Sequence, residues 1–445
     1  MLSLHTPEAP TPADECTVIS DYAARLLADL GMENTIVSPD EEPHPAVLQA
    51  ESGLMWLCGE NDGDPDLLPV PLSSCANGVI RALQCLPGMA LPTGFNGAGL
   101  LTERAAITGH HRRGMTAPGE SCRLIATADG MIALNLARPS DWEDLPALFG
   151  SECADSWPAV SACATLHRTS ELVNQGRLLG MALADAKGEA PTIASWFIRS
   201  TLGRPVGQRL RPPRVLDLSS LWAGPLCTHL WALAGADVLK LESVQRPDGA
   251  RNGPPAFFAL LNNGKTQLEM DLSSEQGIRQ LEEHIRGCDI VVEGSRPRAL
   301  QQVGISAEKL VSETPGLTWL SITGHGREPP QAEWIAFGDD AAVAAGLSSV
   351  IHEATGHWRI CGDAIADPLS GMHMALVGWH SWVAGGGELI SLSLAGTVRH
   401  CIACTRPADG DYRQRQHAWR QRLSGHRISL RPPPPQFRNP PARRP

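Results

Sequence analysis

From Arg214 onward, short apolar runs and helical stretches take turns, and this alternation constrains the fold more than any other feature of the chain. RVLDLS reads as a strand, PLCTHLWALAGA as a helix closed by Gly235, and DVLKLES as a second strand. After a loop, SEQGIRQLEEHIRGC predicts a helix and DIVVEGS a third strand. SAEKLVSETP then predicts a further helix, and LTWLSITGHG a fourth strand. Strand–helix–strand repetition at this spacing predicts a parallel sheet with crossover helices, a Rossmann-like α/β layer.

The preceding half follows other patterns. DYAARLLADLGM, ANGVIRALQCL and GAGLLTERAAITGHHR have helical periodicity. SCRLIATADGMIALNLA alternates as a hairpin about an Asp129-Gly130 turn. Ser140 is a candidate N-cap for the run that follows it. The expected organisation is an N-terminal extension with one helix (1–50), a smaller α+β second domain (51–203), a basic proline-containing linker (204–213) and the Rossmann-like half (214–405). Residues 406–445 hold ten Arg and eight Pro, a composition that predicts disorder because it cannot bury a core.

At 445 residues the chain exceeds one ordinary domain, and 42% hydrophobic residues can supply a large core. A net charge of -11 argues against nucleic acid and anionic membranes as general partners. The 12 Cys read as buried apolar residues or free thiols. Cys401 and Cys404 lack a second pair to complete a zinc site, so no metal is expected. The N-terminus has no basic-then-apolar signal pattern, and no run of about 18 apolar residues exists, so a cytoplasmic location is expected.

A parallel layer binds ligands at the carboxyl ends of its strands. The first such loop, SSLWAGPLCTHL, places Gly224-Pro225 before a helix N-terminus that can receive an anion. It lacks G-x-G-x-x-G, which disfavours NAD. Lys240, Lys265, Arg246, Arg251, Arg296 and Arg298 fall in this unit. Each alone reads as solvated surface charge, whereas as a set on strand ends they could neutralise phosphates. Among carboxylates, Asp339-Asp340 follow Gly338, and Asp363 and Asp367 are four apart. Pro368 pushes Asp367 out of a helix expected to begin at Ser370 or Gly371. A carboxylate at such a junction either caps the helix or serves as a nucleophile.

In order, the chain carries RVLDLSSLWAGPLCTHLWALAGADVLKLES, RPDGAR, LNNGKTQLEMDL, DIVVEGSRPRAL, LTWLSITGHGR, FGDDAAVAAGL and GDAIADPLSG. This series resembles the family III CoA transferases. The resemblance covers about 214–403. It implies transfer of CoA from an acyl-CoA donor to a carboxylic acid, with Asp367 as nucleophile ahead of Gly371 and an aspartyl-CoA thioester as intermediate. It implies contacts to coenzyme A from Leu221, Trp222, Lys265, Gly294 and Ser295. Three positions that are basic in better-known members are Ser243, Gln302 and Thr323 here. Interlocked dimers are the family's rule, so a homodimer is expected.

The related acyl-CoA racemases carry a His where this chain has Asp339, which disfavours that reading, although His352, His357 and His373 are nearby in sequence. A catalytically idle CoA-binding or scaffold protein is the third alternative. Leu347, Ile351, Trp358 and Ile360 suggest an apolar acyl group. In the N-terminal half, residues 51–83 resemble a worn copy of the catalytic segment, with Ser74 opposite Asp367 and Gly78 opposite Gly371. Residues 112–150 and 168–183 resemble the family's second domain, a permuted or duplicated order in which Gly114–Gly119 corresponds to its mobile loop.

Overall fold

In the C-terminal half, consecutive strand residues are buried on opposite faces of one sheet. Val215, Val292, Leu320 and Ile390 join one core, while Leu216, Val291, Trp319 and Leu389 join another. Burial on both faces demands near-continuous apolar runs, which makes these strands legible in sequence. The computed structural model describes residues 15, 17–37, 41–150, 156–188, 195–207, 209, 211–424 and 431–436.

Strands β1 (Cys122–Ala126), β2 (Met131–Asn135) and β3 (Ala182–Asp185) form a small antiparallel sheet. Its other face carries the helix Thr169–Leu179 and a separate core around Leu134, Phe149 and Leu172. The large sheet holds β4 (Phe197–Thr201), β5 (Arg214–Leu218), β6 (Asp237–Ser243), β7 (Thr266–Met270), β8 (Ile290–Glu293), β9 (Thr318–Thr323) and β10 (Glu388–Ser393). Their order is β4-β10-β9-β8-β5-β6-β7, with β5 to β10 parallel and β4 antiparallel at the edge. The parallel part is a doubly wound sheet whose strand order reverses between β5 and β8, where a crevice opens at the carboxyl ends. Helices Ala223–Leu233 and Ala366–Val383 cover one face, and Leu72–Gln84 of the N-terminal half packs on the second of them, with Val18–Asp29 alongside Leu72–Gln84.

Several expectations need correction. The hairpin forms as read, but Ser140 lies inside the helix Pro139–Glu143, whose N-cap is Arg138. GAGLLTERAAITGHHR divides into Gly97–Leu100 and Glu103–Thr108. Strands β3, β4 and β7 are additional to the sequence reading. The 204–213 stretch is pinned to the sheet through Gly316 N to Arg204 O (2.8 Å) and Val206 N to Gly385 O (2.9 Å).

The arginine-rich 406–445 segment, expected to be disordered, contains a helix, Tyr412–Leu423. Trp419 there is 1% exposed and packs with Ala46, Ala50, Met55 and Leu67. Residues 425–430 and 437–445 lie outside the described residues. Cys58 and Cys361, expected as separate thiols, are joined in a disulfide. No helix among the described residues is long and apolar enough to cross a membrane.

Candidate active site

The loop after β5 takes its shape from buried charges. Asp217 accepts hydrogen bonds from Ser219 N (3.0 Å) and Thr228 Oγ1 (2.6 Å), and pairs with Lys265 Nζ at 3.0 Å. Lys265 also donates to Pro225 O (2.8 Å) and Asn262 Oδ1 (3.0 Å), so its three protons are all engaged. Lys240 Nζ donates to Ser219 O at 2.8 Å and pairs with Asp248 at 3.0 Å. Asp248 Oδ1 in turn accepts from Leu221 N at 2.8 Å, holding Leu221 at a left-handed φ of 69°. Burial raises the Asp217 carboxyl, but Lys265 and Lys240 overcome it and hold the group well below the usual carboxylate range. Burial lowers Lys265 to about 8, with Asp217 opposing. Two ammonium groups clamp this loop from behind.

Two of the expected contact residues are turned away from the crevice. Lys265 does not face the crevice, because its donors are spent on Asp217, Pro225 and Asn262. Trp222 is 1% exposed and sits edge-on to Phe257, ring centroids 5.1 Å apart, with Arg104 over its ring. Neither lines the cavity beside Asp367, whereas Leu221, Gly294 and Ser295 do.

Asp367 is in the first turn of Ala366–Val383, and neither it nor any other side chain caps that helix. Pro368 is tolerated there because a first-turn N–H has no intrahelical partner. Two glycines allow the placement. A Cβ at Gly338 would lie 2.2 Å from Asp367 Oδ2, so only glycine leaves room for the carboxylate. A Cβ at Gly371 would lie 2.5 Å from Ala223 O, so this glycine lets the helix press against the start of Ala223–Leu233. Burial pushes the Asp367 carboxyl up to about 6, against the pull of Arg104 and of the Ala223 and Gly338 amides. Neighbouring Asp363 adds to the rise.

Asp363 does different work. Arg104, on Glu103–Thr108, forks onto it, Nε to Oδ2 at 2.8 Å and Nη2 to Oδ1. His110 Nδ1 lies 3.1 Å from Oδ2. Burial opposes its ionisation, but Arg104 and His110 hold Asp363 well below the usual range. Asp339 accepts from Ala364 N at 2.8 Å and Asp340 from Asn135 Nδ2 at 2.8 Å. Burial raises both to about 7.

Asp367 lies at the edge of a cavity of about 400 Å³ walled by Leu221, Gly294, Ser295 and the Thr323-Gly324 turn. Arg246, Arg296 and Arg138 bring positive charge to it, while Trp334, Ile335 and Phe337 are its apolar part. Of the other predicted cations, Arg251 pairs with Glu242 and Arg298 with Glu333. Leu347, Ile351 and Ile360 are core residues, and Trp358 stacks on His352. No histidine lines this cavity among the described residues; His373 is buried against the Tyr22 hydroxyl at 2.8 Å. The 114–119 segment is held in place by Gly114 N to Gly59 O (2.8 Å) and Ile360 N to Gly114 O (3.0 Å). No metal-holding group of His, Cys, Asp or Glu occurs among the described residues.

The doubly wound sheet, with a carboxylate and arginines around a crevice at its strand-order reversal, defines the class: an α/β protein with a large parallel sheet. The particular family follows from sequence. Residues 210–426 match CoA-transferase family III. A formyl-CoA:oxalate CoA-transferase of Afipia carboxidovorans is 28% identical over 204 residues, 43% of this chain and 48% of that protein. A succinate–glutarate CoA-transferase of Agrobacterium fabrum is 29% identical over 207 residues, 41% of this chain and 51% of that protein. The chain thus spans about half the length of the curated relatives it matches. A CAIB/BAIF family protein from Brucella suis, with a solved structure, is 26% identical over 44% of this chain and 56% of that one, at a TM-score of 0.40.

Proposed function

We propose that this protein transfers CoA from an acyl-CoA to a carboxylic acid, with Asp367 as the nucleophile. The placement of Asp367 at the cavity beside Leu221, Gly294 and Ser295 carries the reading. The Asp367 carboxylate attacks the thioester carbonyl, forming a mixed anhydride as the C–S bond breaks and CoA thiolate leaves. The thiolate then attacks the aspartyl carbonyl, releasing the donor acid as its carboxylate and leaving an aspartyl-CoA thioester. The acceptor carboxylate attacks that thioester, and returning thiolate takes the acceptor acyl group from the second anhydride. The acceptor acyl-CoA is the product, the Asp367 carboxylate is regenerated, and four moderate steps replace one hard exchange. With its carboxyl near 6, Asp367 is ionised at neutral pH yet more basic than an ordinary aspartate. Arg246 and Arg296 line the same cavity, which suits neutralisation of the donor's phosphates. Racemisation would need a second base beside Asp367, and no histidine lines its cavity among the described residues.

The test is intact mass after incubation with acetyl-, succinyl- and benzoyl-CoA, quenched in acid, wild type beside Asp367→Asn. An acyl or CoA adduct on the wild type alone is expected. The absence of an adduct with every donor, with CoA still bound, would remove the covalent reading.

A further inference from the structure

The two halves repeat one packing motif. Val18–Asp29 lies along Leu72–Gln84 as Ala223–Leu233 lies along Ala366–Val383. A glycine makes each crossing close: a Cβ at Gly78 would meet Ile19 O at 2.9 Å, and one at Gly371 would meet Ala223 O at 2.5 Å. The same spacing separates Ile19 from Gly31 and Ala223 from Gly235, and both of those closing glycines are left-handed, φ 80° and 93°. Each longer helix packs on a later one with a side-chain N-cap, Gly97–Leu100 capped by Asn96 and Leu394–Cys404 capped by Ser393. The two longer helices also pack on each other, as paired copies would. Four residues before Gly78 stands Ser74, where the other copy has Asp367; Ser74 is fully buried and its hydroxyl has no hydrogen-bond partner among the described residues.

The degenerate copy is not idle with respect to the site. Arg104, from the short helix just after it, holds Asp363 and lies over the rings of Trp222 and Phe257. The same half sends Asn135 to Asp340 and Arg138 to the cavity. We infer that the N-terminal half is a worn second copy retained as an in-chain partner, completing one catalytic centre per chain, with Arg104 as the positioning residue it supplies. In place of the homodimer that the family resemblance implies, the chain is its own pseudo-dimer.

This inference rests on the proposed transferase reading for its activity readout, but its test has an arm that does not. Sedimentation of the full chain at low micromolar concentration should give the mass of one chain; a stable dimer would overturn the inference even if no acyl-CoA reacts. If succinyl-CoA labels the wild type, one adduct per chain is expected, on the peptide holding Asp367. Co-expressed Arg104→Gln and Asp367→Asn chains should label at pH 6 no more than Arg104→Gln chains alone, because neither can complete the other. Recovery of labelling to a substantial fraction of wild type would show completion between chains and sink the proposal.

Positioning by Arg104 is read from the pH profile of labelling. Arg104, Asp363, Asp339 and the Ala223 and Gly338 amides are the charged and polar groups acting on Asp367. Loss of the guanidinium should move the midpoint of labelling upward from about 6. Arg104→Lys should restore part of the shift, and the double variant Arg104→Gln with Asp363→Asn avoids leaving a buried unpaired carboxylate. A midpoint in the folded double variant no higher than that of Asp363→Asn alone would confine Arg104 to packing and overturn its role.

Discussion

The helix pairs 18–29/72–84 and 223–233/366–383 share a crossing but not a chemistry. Both bring backbone to backbone through a glycine, so close packing alone does not make an active site. The second pair stands on a parallel sheet whose loops end beside Asp367, and its buried Lys240 and Lys265 fix the first of those loops. The first pair has a serine at the equivalent point and no parallel sheet beneath it among the described residues. What distinguishes a site from a core is thus the surrounding set of strand ends and paired charges.

The sharpest way to test that distinction is Gly338→Ala. Its Cβ would strike Asp367 Oδ2 and Ala364 O, at 2.2 and 2.4 Å. Labelling by acyl-CoA should fall by roughly 100-fold or more, since small misplacements of reacting groups cost about that much, while circular dichroism shows a folded chain. Next come the matched glycines. Gly371→Ala should cost about 1–3 kcal/mol of stability by overpacking and also reduce labelling. Gly78→Ala should cost less, because its Cβ would lie 2.9 Å from Ile19 O against 2.5 Å from Ala223 O at Gly371, and should leave the labelling rate per folded chain near wild type. Equal loss of labelling in both would erase the contrast between the copies.

The smallest effect concerns Asp339, raised by burial to about 7. Its folded value lies above its unfolded one, so the stability it contributes is fully present in acid and is lost as pH rises toward 7. Asp339→Asn keeps an oxygen for Ala364 N and removes the titration. Its melting temperature should exceed wild type by a few degrees at pH 8, with the gain shrinking toward pH 4. A constant difference across pH would show that Asp339 is already paired or hydrated.

Sequence periodicity identified β5, β6, β8 and β9 because burial on both faces enforces apolar runs. It missed β7, whose TQLEM is mostly exposed at the sheet edge, and β4, a short antiparallel edge strand. Ordered motifs led to Asp367, yet the local rule for a residue before proline misplaced the helix start. Lys265 was misread because basic type alone cannot tell a ligand contact from a buried partner of Asp217. Arg104 gave no signal: its partner Asp363 is 259 residues away, and no local pattern links them. The Cys58–Cys361 bond, separated by 303 residues, was equally invisible among scattered cysteines.

Edge strand β4 belongs by sequence to the first half but pairs antiparallel with β10 of the second, from Leu392–Phe197 to Glu388–Thr201. A gene fission at the junction would therefore not yield two independent products. The released C-terminal piece would expose the full hydrogen-bonding edge of β10, a template for edge-to-edge association. Once such a strand has crossed over, the two halves are committed to inheritance as a single reading frame.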